Sequence, residues 1–528
     1  MPTRCSRSPS PAQSPSAKRI KLANGQAGMA TTTNTASAPT TDVLIPVNDE
    51  AYPAPDAAVL KMVEEEMAKP IEILKTYERE LDYENKLVLA PMVRTGSLPM
   101  VCRILAHRFS ISDTQSQRLL SLHYGAGLVW GPEIVDKAII GAERIVDPET
   151  GVISYTKKGG DGKPIFTCHP VEKPFLIYQI GTSDPELAVQ AAKTVEQDVA
   201  GFDLNCGCPK PFSVHSGMGA ALLSTPDLLL SILRALLSST SLPVSCKIRL
   251  LPTQEPTLHL ASRILRTGIR ALTVHCRTRD MRSSVKALWE RLGDIVQLGK
   301  RRGVPVICNG DGEGWANWNA IREKTGATSV MIARAAESNP SIFSPTGPIS
   351  TMEKLIPTSF LPLCAYLNNH YSNTKFLLYQ YKPSPVPISN LSKAERKNFS
   401  DGIARAKTTE QAVDFFGMTM PDAKQVGGQF LKDLKRTLKE REPDAYGADE
   451  YDEDWARAAK AAVPVVATAI ASEQRTTTIP PHPTISDTKN IFEQRKEAEA
   501  EGNVRDAPIS QEEVRQEVLD EEAMMNGA

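Results

Sequence analysis

The segment DLNCGCPKP (203–211) carries the residue types best suited to chemistry. Cys206 and Cys208 flank a single glycine directly after a run with the composition of a buried strand. Cys206 keeps strand spacing with Leu204 and is interpreted as a small core residue, whereas Pro209 ends the strand and leaves Cys208 exposed. A thiol with an ordinary pKa of about 8.5 is mostly protonated at neutral pH, so Cys208 can give a proton or, once activated, attack as a nucleophile.

We expect neither a disulfide nor a metal at these cysteines. The chain has nine cysteines, an odd number spread through apolar runs, and no secretory segment precedes them, which favours a reducing compartment. A zinc site needs four nitrogen or sulfur ligands, and C-x-x-C spacing is absent although His215 is near in sequence. The remaining hypothesis is one working thiol beside a structural neighbour.

The elements that must position this thiol follow from eight apolar runs of strand length. Continuous hydrophobicity, rather than alternation, is typical of parallel strands buried on both faces. Between the runs lie helix-length segments, two of which open at Asp184–Pro185 and at Pro226–Asp227. The runs are 86–92, 128–135, 175–181, 201–207, 244–250, 271–277, 304–311 and 329–335. The predicted fold class is α/β: a (β/α)8 TIM barrel followed by a smaller all-helical domain, with disordered N- and C-terminal tails.

Composition divides the chain further. Residues 1–80 are a disordered extension with a short helix, 84–345 the barrel, 346–440 the helical domain and 441–528 an acidic, largely disordered tail. Segment 144–168, with its ETG and GGDG turns, is predicted to be a hairpin-like excursion. Counted charges give +6 for 81–340, +5 for 341–440 and −11 for 441–528.

Localisation depends on the N-terminal extension. AKRIKL is a candidate nuclear-import patch, and the Arg/Ser-rich, acid-poor start is also compatible with a mitochondrial presequence. The expectation is a cytoplasmic or nuclear protein, with the mitochondrion as an alternative. No apolar run reaches the roughly 18 residues that cross a bilayer, so no membrane partner is expected.

In a barrel of this class, chemistry takes place at the C-terminal ends of the strands. A single polar residue there, such as His275, is more often a satisfied core residue than a functional one. Nearly every predicted strand, however, contributes such a residue. They are Met92, Glu133, Gln179, Asn205 with Cys208, Lys247 with Arg249, His275 with Arg277, Asn309 with Asp311, and Arg334.

Two features of this set indicate the ligand. The turns CNGDGEG (308–314) and IARAAESNP (332–340) lead into helices, and their backbone N–H groups together with Arg334 would hold a phosphate. Lys247 points inward from mid-strand and needs a polar partner, for which the electron-rich pyrimidine edge of a flavin is suitable. A Schiff-base lysine, as in aldolase-type barrels, is the rival hypothesis.

The motifs taken together resemble the tRNA-dihydrouridine synthases, in the eukaryotic, fungal-type branch that acts on position 20. The resemblance covers about residues 84–420. The full set of motifs in this order is specific to the family, whereas GCP or NGD alone would not be. The motifs are APMVRTGSLPM (90–100), NCGCPKPFSVHSGMGAALL (205–223), CKIRL (246–250), VHCRTRDMR (274–282), NGD (309–311), MIARAAESNPSIF (331–343) and NNHYSNTKF (368–376).

The resemblance implies a reaction and its residues. Cys208 would be the general acid that protonates C5 of a uracil, while FMN, reduced by NADPH or NADH, would give a hydride from N5 to C6. The implied FMN contacts are Pro91, Met92, Val93, Glu133, Gln179, Lys247, His275, Asn309, Gly310, Asp311, Ala333 and Arg334. The implied contacts to the partner, a tRNA whose target base leaves its stack, are Asn205, Arg277, Arg279, Arg282 and Lys375. The protein is expected to be a monomer.

Two departures leave alternatives open. Residues 107–121 interrupt the first barrel helix, as a real insertion or as a gene-model error, and Gly127 occupies a position where the family usually has aspartate. The alternatives are a flavin-dependent barrel acting on a small metabolite and a catalytically impaired tRNA-binding homologue.

Overall fold

The computed structural model describes residues 57–77, 79–92, 115–159, 163–381 and 391–446. Eight parallel strands close into a barrel, in which the first strand, at Leu87–Leu89, pairs with both the second and the last. In order around the barrel these strands are β1 (Leu87–Leu89), β2 (Val129–Val135), β6 (Leu176–Gly181), β7 (Gly201–Cys206), β8 (Val244–Arg249), β9 (Ala271–His275), β10 (Val306–Asn309) and β11 (Ser329–Ile332). The predicted (β/α)8 barrel and its eight strands are confirmed.

Helices surround the barrel, so the strands are covered on both faces. In β6, consecutive residues Ile177 and Tyr178 are both fully buried, which is why the strand sequences are continuously apolar. The helices as far as the last strand and its turn are α1 (Ala57–Ala68), α2 (Gln115–His123), α3 (Asp136–Ile139), α4 (Pro185–Val195), α5 (Pro211–His215), α6 (Pro226–Ser239), α7 (Gln254–Arg266), α8 (Leu292–Arg302), α9 (Trp318–Thr325) and α10 (Arg334–Ser338).

Local chemistry fixes the start of α4 as the sequence predicts. The Asp184 carboxylate accepts hydrogen bonds from the backbone N–H groups of Glu186 (2.8 Å) and Leu187 (3.1 Å), and Pro185 is the first helical residue. This cap orients the helix that follows β6, a strand that carries part of the site.

The excursion between β2 and β6 has three strands where a hairpin was expected. It is an antiparallel sheet of β3 (Ala142–Val146), β4 (Ile153–Lys157) and β5 (Pro164–Cys168). Arg144 ties this sheet to the barrel through two bonds to the Asp198 carboxylate, at 2.6 and 2.9 Å.

Helix α2 takes the place of the first barrel helix and is buried along its length up to Leu122. The Arg118 guanidinium donates two hydrogen bonds to the Glu172 carboxylate, at 2.7 and 2.8 Å, and both side chains are fully buried. Residues 115–121 of the segment 107–121 are therefore packed into the folded core, while 107–114 lie outside the described residues.

The short helix expected in the N-terminal extension is α1, and it packs against α7 of the barrel. Val63 and Met67 are buried there. Just beyond the helix, the Glu72 carboxylate binds Arg234 (2.6 and 2.9 Å) and Arg266 (2.6 Å). Residues 57–77 thus form part of the barrel's outer layer.

A helical region follows the barrel. It comprises a π-helical stretch (Thr351–Phe360), α11 (Leu361–Tyr366), α12 (Tyr371–Gln380), α13 (Lys393–Arg405), α14 (Thr409–Phe415) and α15 (Met420–Arg441). Helix α15 packs on α11 and α2. Within the described ranges no helix has both the length and the apolar character needed to cross a bilayer.

Residues 441–446, placed in the acidic tail by composition, extend this packing. Lys86, directly before β1, binds Glu442 at 3.1 Å, and the Tyr446 hydroxyl donates to the Val171 carbonyl at 2.7 Å. The end of α15 is thereby fastened to the barrel.

Candidate active site

A chain of hydrogen bonds runs across β6, β7 and β8 on the inner face of the barrel. The Gln179 amide donates to Asp203 (2.7 Å) and accepts from the Asn205 amide (3.0 Å), and Ser245 donates to Asp203 (2.6 Å). Asp203 and Asn205 are two residues apart in β7, so they share one face of the strand. The network fixes the side chains directly beneath the loop that carries Cys208.

Cys208 lies immediately beyond β7, and the side chain of Asn205 binds its backbone. The Asn205 side-chain oxygen accepts from the backbone N–H groups of Gly207 (2.9 Å) and Cys208 (3.0 Å). Gly219, with φ +59°, approaches so closely that a Cβ there would lie 2.7 Å from the Cys208 carbonyl oxygen. The thiol has intermediate exposure, whereas Cys206 is buried beside Cys246.

The thiol of Cys208 is a weak acid in this environment. Burial, and then the neighbouring Glu133 carboxyl, raise its pKa to about 11, although contacts with Lys210 and Ser213 act in the opposite direction. Burial raises the pKa of Glu133 to about 7, against the opposing effects of Cys208 and Lys247. Cys208 is therefore protonated at neutral pH, as a proton donor must be.

Lys247 lies next to this pair, on β8. Lys247 is half-buried. Burial, followed by the charge of Arg249, lowers its pKa to about 8, and Asp203 acts against this shift. Arg249 itself is bound to the carbonyl oxygens of Gly207 (2.7 Å) and Thr278 (2.9 Å). Lys247 thus keeps a positive charge at neutral pH close to the thiol.

His275, at the end of β9, is a neutral imidazole. Burial, and then the positive charges of Lys247, Arg249, Arg277 and Arg334, hold its pKa well below the ordinary value. A ring nitrogen lies 3.3 Å from the Arg277 guanidinium and can accept from it. The imidazole is thus available for neutral hydrogen bonding to a ligand.

Asp311, which follows β10, binds two arginine side chains of this site. Its carboxylate binds Arg277 (2.5 Å), Arg334 (2.8 Å) and the Ala287 N–H (2.7 Å). Partial burial alone would raise the pKa of Asp311, but these partners hold it below the ordinary value. One carboxylate therefore orients two guanidinium groups towards the same end of the barrel.

The turn Asn309–Gly310–Asp311 requires positive φ angles at its last two residues. Gly310 has φ +117°, and a Cβ there would lie 3.0 Å from Ala287 Cβ and 3.3 Å from His275 Cδ2. Asp311 also has a positive φ, +55°. Only glycine leaves the space in front of this turn open, and that space faces His275 and Arg277.

The residues present fit an anionic, electron-rich ligand. Lys247, Arg249, Arg277 and Arg334 bring positive charge to one end of the barrel, where Asp203 and Asp311 are the main balancing carboxylates. Thr273 Oγ1, on β9, is buried and has no hydrogen-bond partner among the described residues. No group of three His, Cys, Asp or Glu side chains in the described ranges is arranged to hold a metal ion.

Most of the residues singled out from the sequence follow strand ends at this face. Pro91 and Met92 come after β1, Ala333 and Arg334 after β11, and the Asn309 amide donates to the Met331 carbonyl at 2.9 Å. Val93 lies outside the described residues.

The residues expected to contact tRNA separate into distinct groups. Arg279 and Arg282 are exposed in the loop after β9, and Asn205 belongs to the hydrogen-bond network. Arg277 is buried, with its guanidinium bound to Val285, Ser283 and Asp311, so it orients other groups and is not a surface contact. The Lys375 ammonium is half-buried and binds the carbonyls of Ala404 (2.9 Å) and Ala406 (3.0 Å) at the end of α13, so a contact with tRNA stays a prediction.

Sequence reasoning missed Asp203 and Ser213. Asp203 is two residues before Asn205 in a strand, and that alternation would have placed it on the inner face. Ser213, buried in α5, comes near Cys208 only through the fold of the loop, so no local pattern identifies it. Arg249 was placed at the strand end but was given no role.

The fold and site together define a (β/α)8-barrel protein that presents a protonated thiol beside a ring of cationic side chains. Comparison with known proteins then gives the family. A family model described as "Dihydrouridine synthase (Dus)" matches residues 123–397, more than half of the chain. The chain belongs to the dihydrouridine synthase family.

Three relatives show the degree of similarity. The tRNA-dihydrouridine(20) synthase [NAD(P)+] of Schizosaccharomyces pombe is 44% identical over 343 residues, covering 64% of this chain and 66% of that protein. Its Saccharomyces cerevisiae namesake is 38% identical, with 57% and 78% covered. The tRNA-dihydrouridine(20a/20b) synthase [NAD(P)+] of Saccharomyces cerevisiae is 29% identical, with 57% and 71% covered.

Proposed function

We propose that this protein is an FMN-dependent tRNA-dihydrouridine(20) synthase, which reduces the C5–C6 bond of a uridine in the tRNA D-loop with NADPH or NADH. The observation that carries the proposal is the fixed, protonated Cys208 beside Lys247 at the end of a dihydrouridine synthase barrel. The names of the two most similar relatives above support position 20 as the target.

The chain's residues divide into two groups around the cofactor. When bound, FMN would supply the hydride that reaches C6 of the uracil. Lys247 and Gln179 would face its ring. The backbone N–H groups of Gly310 and Asp311 and the guanidinium of Arg334, which the Asp311 carboxylate orients, would hold its phosphate. The ammonium of Lys247 would stabilise negative charge on the reduced ring, which its pKa of about 8 permits at neutral pH.

Cys208 would complete the reduction. Addition of hydride at C6 leaves an enolate-like charge, which disappears when the S–H bond breaks and a C5–H bond forms. Asn205 holds the Cys208 backbone through the 3.0 Å bond to its N–H, so the sulfur is positioned before substrate arrives.

Binding of tRNA would use charge on two surfaces. Arg279 and Arg282 are exposed beside the barrel mouth, and residues 341–440 carry a net charge of +5. The target base must leave its stack to reach a thiol at the end of a barrel strand, as in other base-modifying enzymes.

The test is to map dihydrouridine in tRNA incubated with purified protein, FMN and NADPH. The expected product is dihydrouridine at position 20, and its absence from every tRNA offered would overturn the proposal. A flavin absorption spectrum of the purified protein separates this outcome from a non-catalytic tRNA-binding homologue, which would be colourless.

Binding measurements address the other alternative, a reductase of a small metabolite. We expect tRNA affinity to fall steeply between 50 and 200 mM salt, by roughly tenfold or more, because phosphate contacts release counterions. A protein acting on a free metabolite would show no such salt-sensitive affinity for tRNA.

A further inference from the structure

The side chain of Arg277 holds the loop that follows β9. Arg277 is only 3% exposed. Its Nε atom donates to the Val285 carbonyl at 2.7 Å, and Nη2 donates to the Ser283 carbonyl at 3.2 Å. Both carbonyls belong to residues 278–288, which we call the β9 loop. One buried side chain therefore fixes the path of the β9 loop.

The same guanidinium binds the turn after β10. Its Nη2 donates to Asp311 Oδ1 at 2.5 Å, and the other carboxylate oxygen accepts from the backbone N–H of Ala287, in the β9 loop, at 2.7 Å. The indole N–H of Trp289, directly after the β9 loop, donates to the Gly310 carbonyl at 2.9 Å. The β9 loop and the turn therefore form one hydrogen-bonded unit.

The turn is the part of this unit that would meet a ligand phosphate. Gly310 and Asp311 have positive φ angles, +117° and +55°, and such an angle is uncommon for a residue with a side chain. Contacts from outside the turn must therefore hold it in this conformation. Asp311 Oδ1 also accepts from the exposed Arg334 at 2.8 Å. A phosphate bound by Arg334 and the N–H groups of the turn would act on the residue that Arg277 holds.

The outer face of the β9 loop is suited to a polyanion. Arg279, Arg282 and Lys286 are exposed there, and Asp280 is the only carboxylate of the loop. The path of the loop determines where these three positive charges lie. Arg277 thus shapes a surface proposed to bind RNA, although its own side chain is buried.

We propose that Arg277 is a positioning residue that couples cofactor binding to RNA binding. This inference rests on the proposed function. A ligand phosphate at the turn fixes Asp311 and, through Arg277 and Ala287, the β9 loop. RNA that binds afterwards then loses less conformational freedom on the loop, so it binds more tightly. The coupling is reciprocal, because RNA on the loop must strengthen cofactor binding by the same factor.

The decisive measurement compares two ligands that differ only in the phosphate. FMN and riboflavin share the isoalloxazine ring, so direct contact of the ring with RNA contributes to both. The affinity of the full-length protein for a fluorescently labelled tRNA is measured by anisotropy at one salt concentration, with saturating FMN or riboflavin. With FMN, tRNA should bind at least about fivefold more tightly, although the phosphate charge alone would repel RNA. Equal affinities, or weaker binding with FMN, would overturn the coupling.

Three variants locate the coupling. Arg277→Met keeps a long side chain without its hydrogen bonds, and its tRNA affinity should be nearly equal with FMN and with riboflavin. Arg279→Met removes an exposed cation of the β9 loop, so it should weaken tRNA binding with both ligands and keep the ratio between them. Arg301→Met is the matched control, because it removes the same charge from α8, where Arg301 binds Glu64, and it should match wild type. A wild-type ratio in Arg277→Met would contradict the assigned role.

A second readout needs neither turnover nor a variant, so it applies even if Arg277→Met fails to fold. In the wild-type protein FMN should slow backbone hydrogen exchange in residues 278–288 more than riboflavin does, as read by mass spectrometry of peptides. Equal protection by the two ligands would contradict the link between the turn and the β9 loop. Failure of the wild type to form dihydrouridine would instead contradict the proposed function and leave this exchange measurement intact.

Discussion

The two cysteines of the GCP segment differ in environment much more than in sequence position. Cys206 is fully buried in β7, with its sulfur 3.7 Å from that of Cys246, and acts as a small apolar residue. Cys208 lies past the strand end, with intermediate exposure, and the Glu133 carboxyl raises the pKa of its thiol. Of these two cysteines, only Cys208 is therefore placed to act as the proposed proton donor.

Replacing Cys208 tests that assignment. We expect Cys208→Ala to keep FMN and tRNA binding and to form dihydrouridine at least 100-fold more slowly, because general acid catalysis commonly contributes that much. Product formation is measured by mass spectrometry of digested tRNA. Cys206→Ala is the matched control and should remain active, and undiminished turnover in Cys208→Ala would reject the role.

Glu133 also makes stability depend on pH. Its pKa is raised to about 7 in the folded chain from an ordinary 4.5, so its stabilising contribution is complete below pH 4.5 and is lost as pH rises through 7. Relative to wild type, Glu133→Gln should therefore gain about 3 kcal/mol between pH 4.5 and pH 8. Denaturation of the flavin-free protein at both pH values measures this gain, and Glu143→Gln should show none.

At the scale of elements, the turn after β10 tests whether backbone geometry shapes the cofactor site. Gly310→Ala introduces a Cβ 3.0 Å from Ala287 and 3.3 Å from His275 at a positive φ. We expect loss of most bound flavin, read from its absorbance, because the turn must shift.

Gly303→Ala is the control for this change. It also has a positive φ, +65° at the end of α8 against +117° for Gly310, but no atom lies within 4 Å of the added Cβ. It should lose about 1 kcal/mol of stability and keep its flavin. Equal flavin loss in both variants would show that strain in general, and not the geometry of the turn, is responsible.

The cap of α4 gives a second test at this scale. Removing the Asp184 carboxylate leaves the N–H groups of Glu186 and Leu187 without their partner, so Asp184→Ala should cost about 1 kcal/mol in thermal or chemical denaturation. Asp184→Asn keeps a capping oxygen and should cost much less. If the two variants are equally destabilised, the loss does not come from the cap.

For the whole molecule, the question is how the helical region and the barrel are held together. Helix α15 packs on α2, and beyond it Glu442 binds Lys86 while Tyr446 binds Val171. These contacts join the last described residues to the first strand and to the segment before β6.

Two truncations measure the contribution of residues 441–446. A chain ending at 440 should melt several degrees below a chain ending at 446, because it loses the Lys86 ion pair and the buried Tyr446 ring. Melting temperatures of the two proteins decide the matter. Identical values would show that the contacts of Glu442 and Tyr446 contribute nothing to stability.

The sequence by itself determined the architecture and singled out Cys208 as the candidate proton donor. Continuous apolar runs such as 175–181 predict buried parallel strands, and Asp184–Pro185 predicts a helix start, because both signals arise from neighbouring residues alone. The position of Cys208 after a strand and before Pro209 is equally local. Resemblance of the ordered motifs then identified the family.

Only the tertiary structure decided which side chains meet. The hydrogen bond from Gln179 to Asp203, the burial of Arg277 beside Asp311 and the binding of Lys375 to the end of α13 all join residues from different elements. Such contacts depend on strand register and on closure of the barrel. Both are set by residues throughout the chain and not by the neighbours of any one residue. For that reason no local pattern distinguishes a buried arginine that binds a carboxylate, such as Arg277, from an exposed one, such as Arg279.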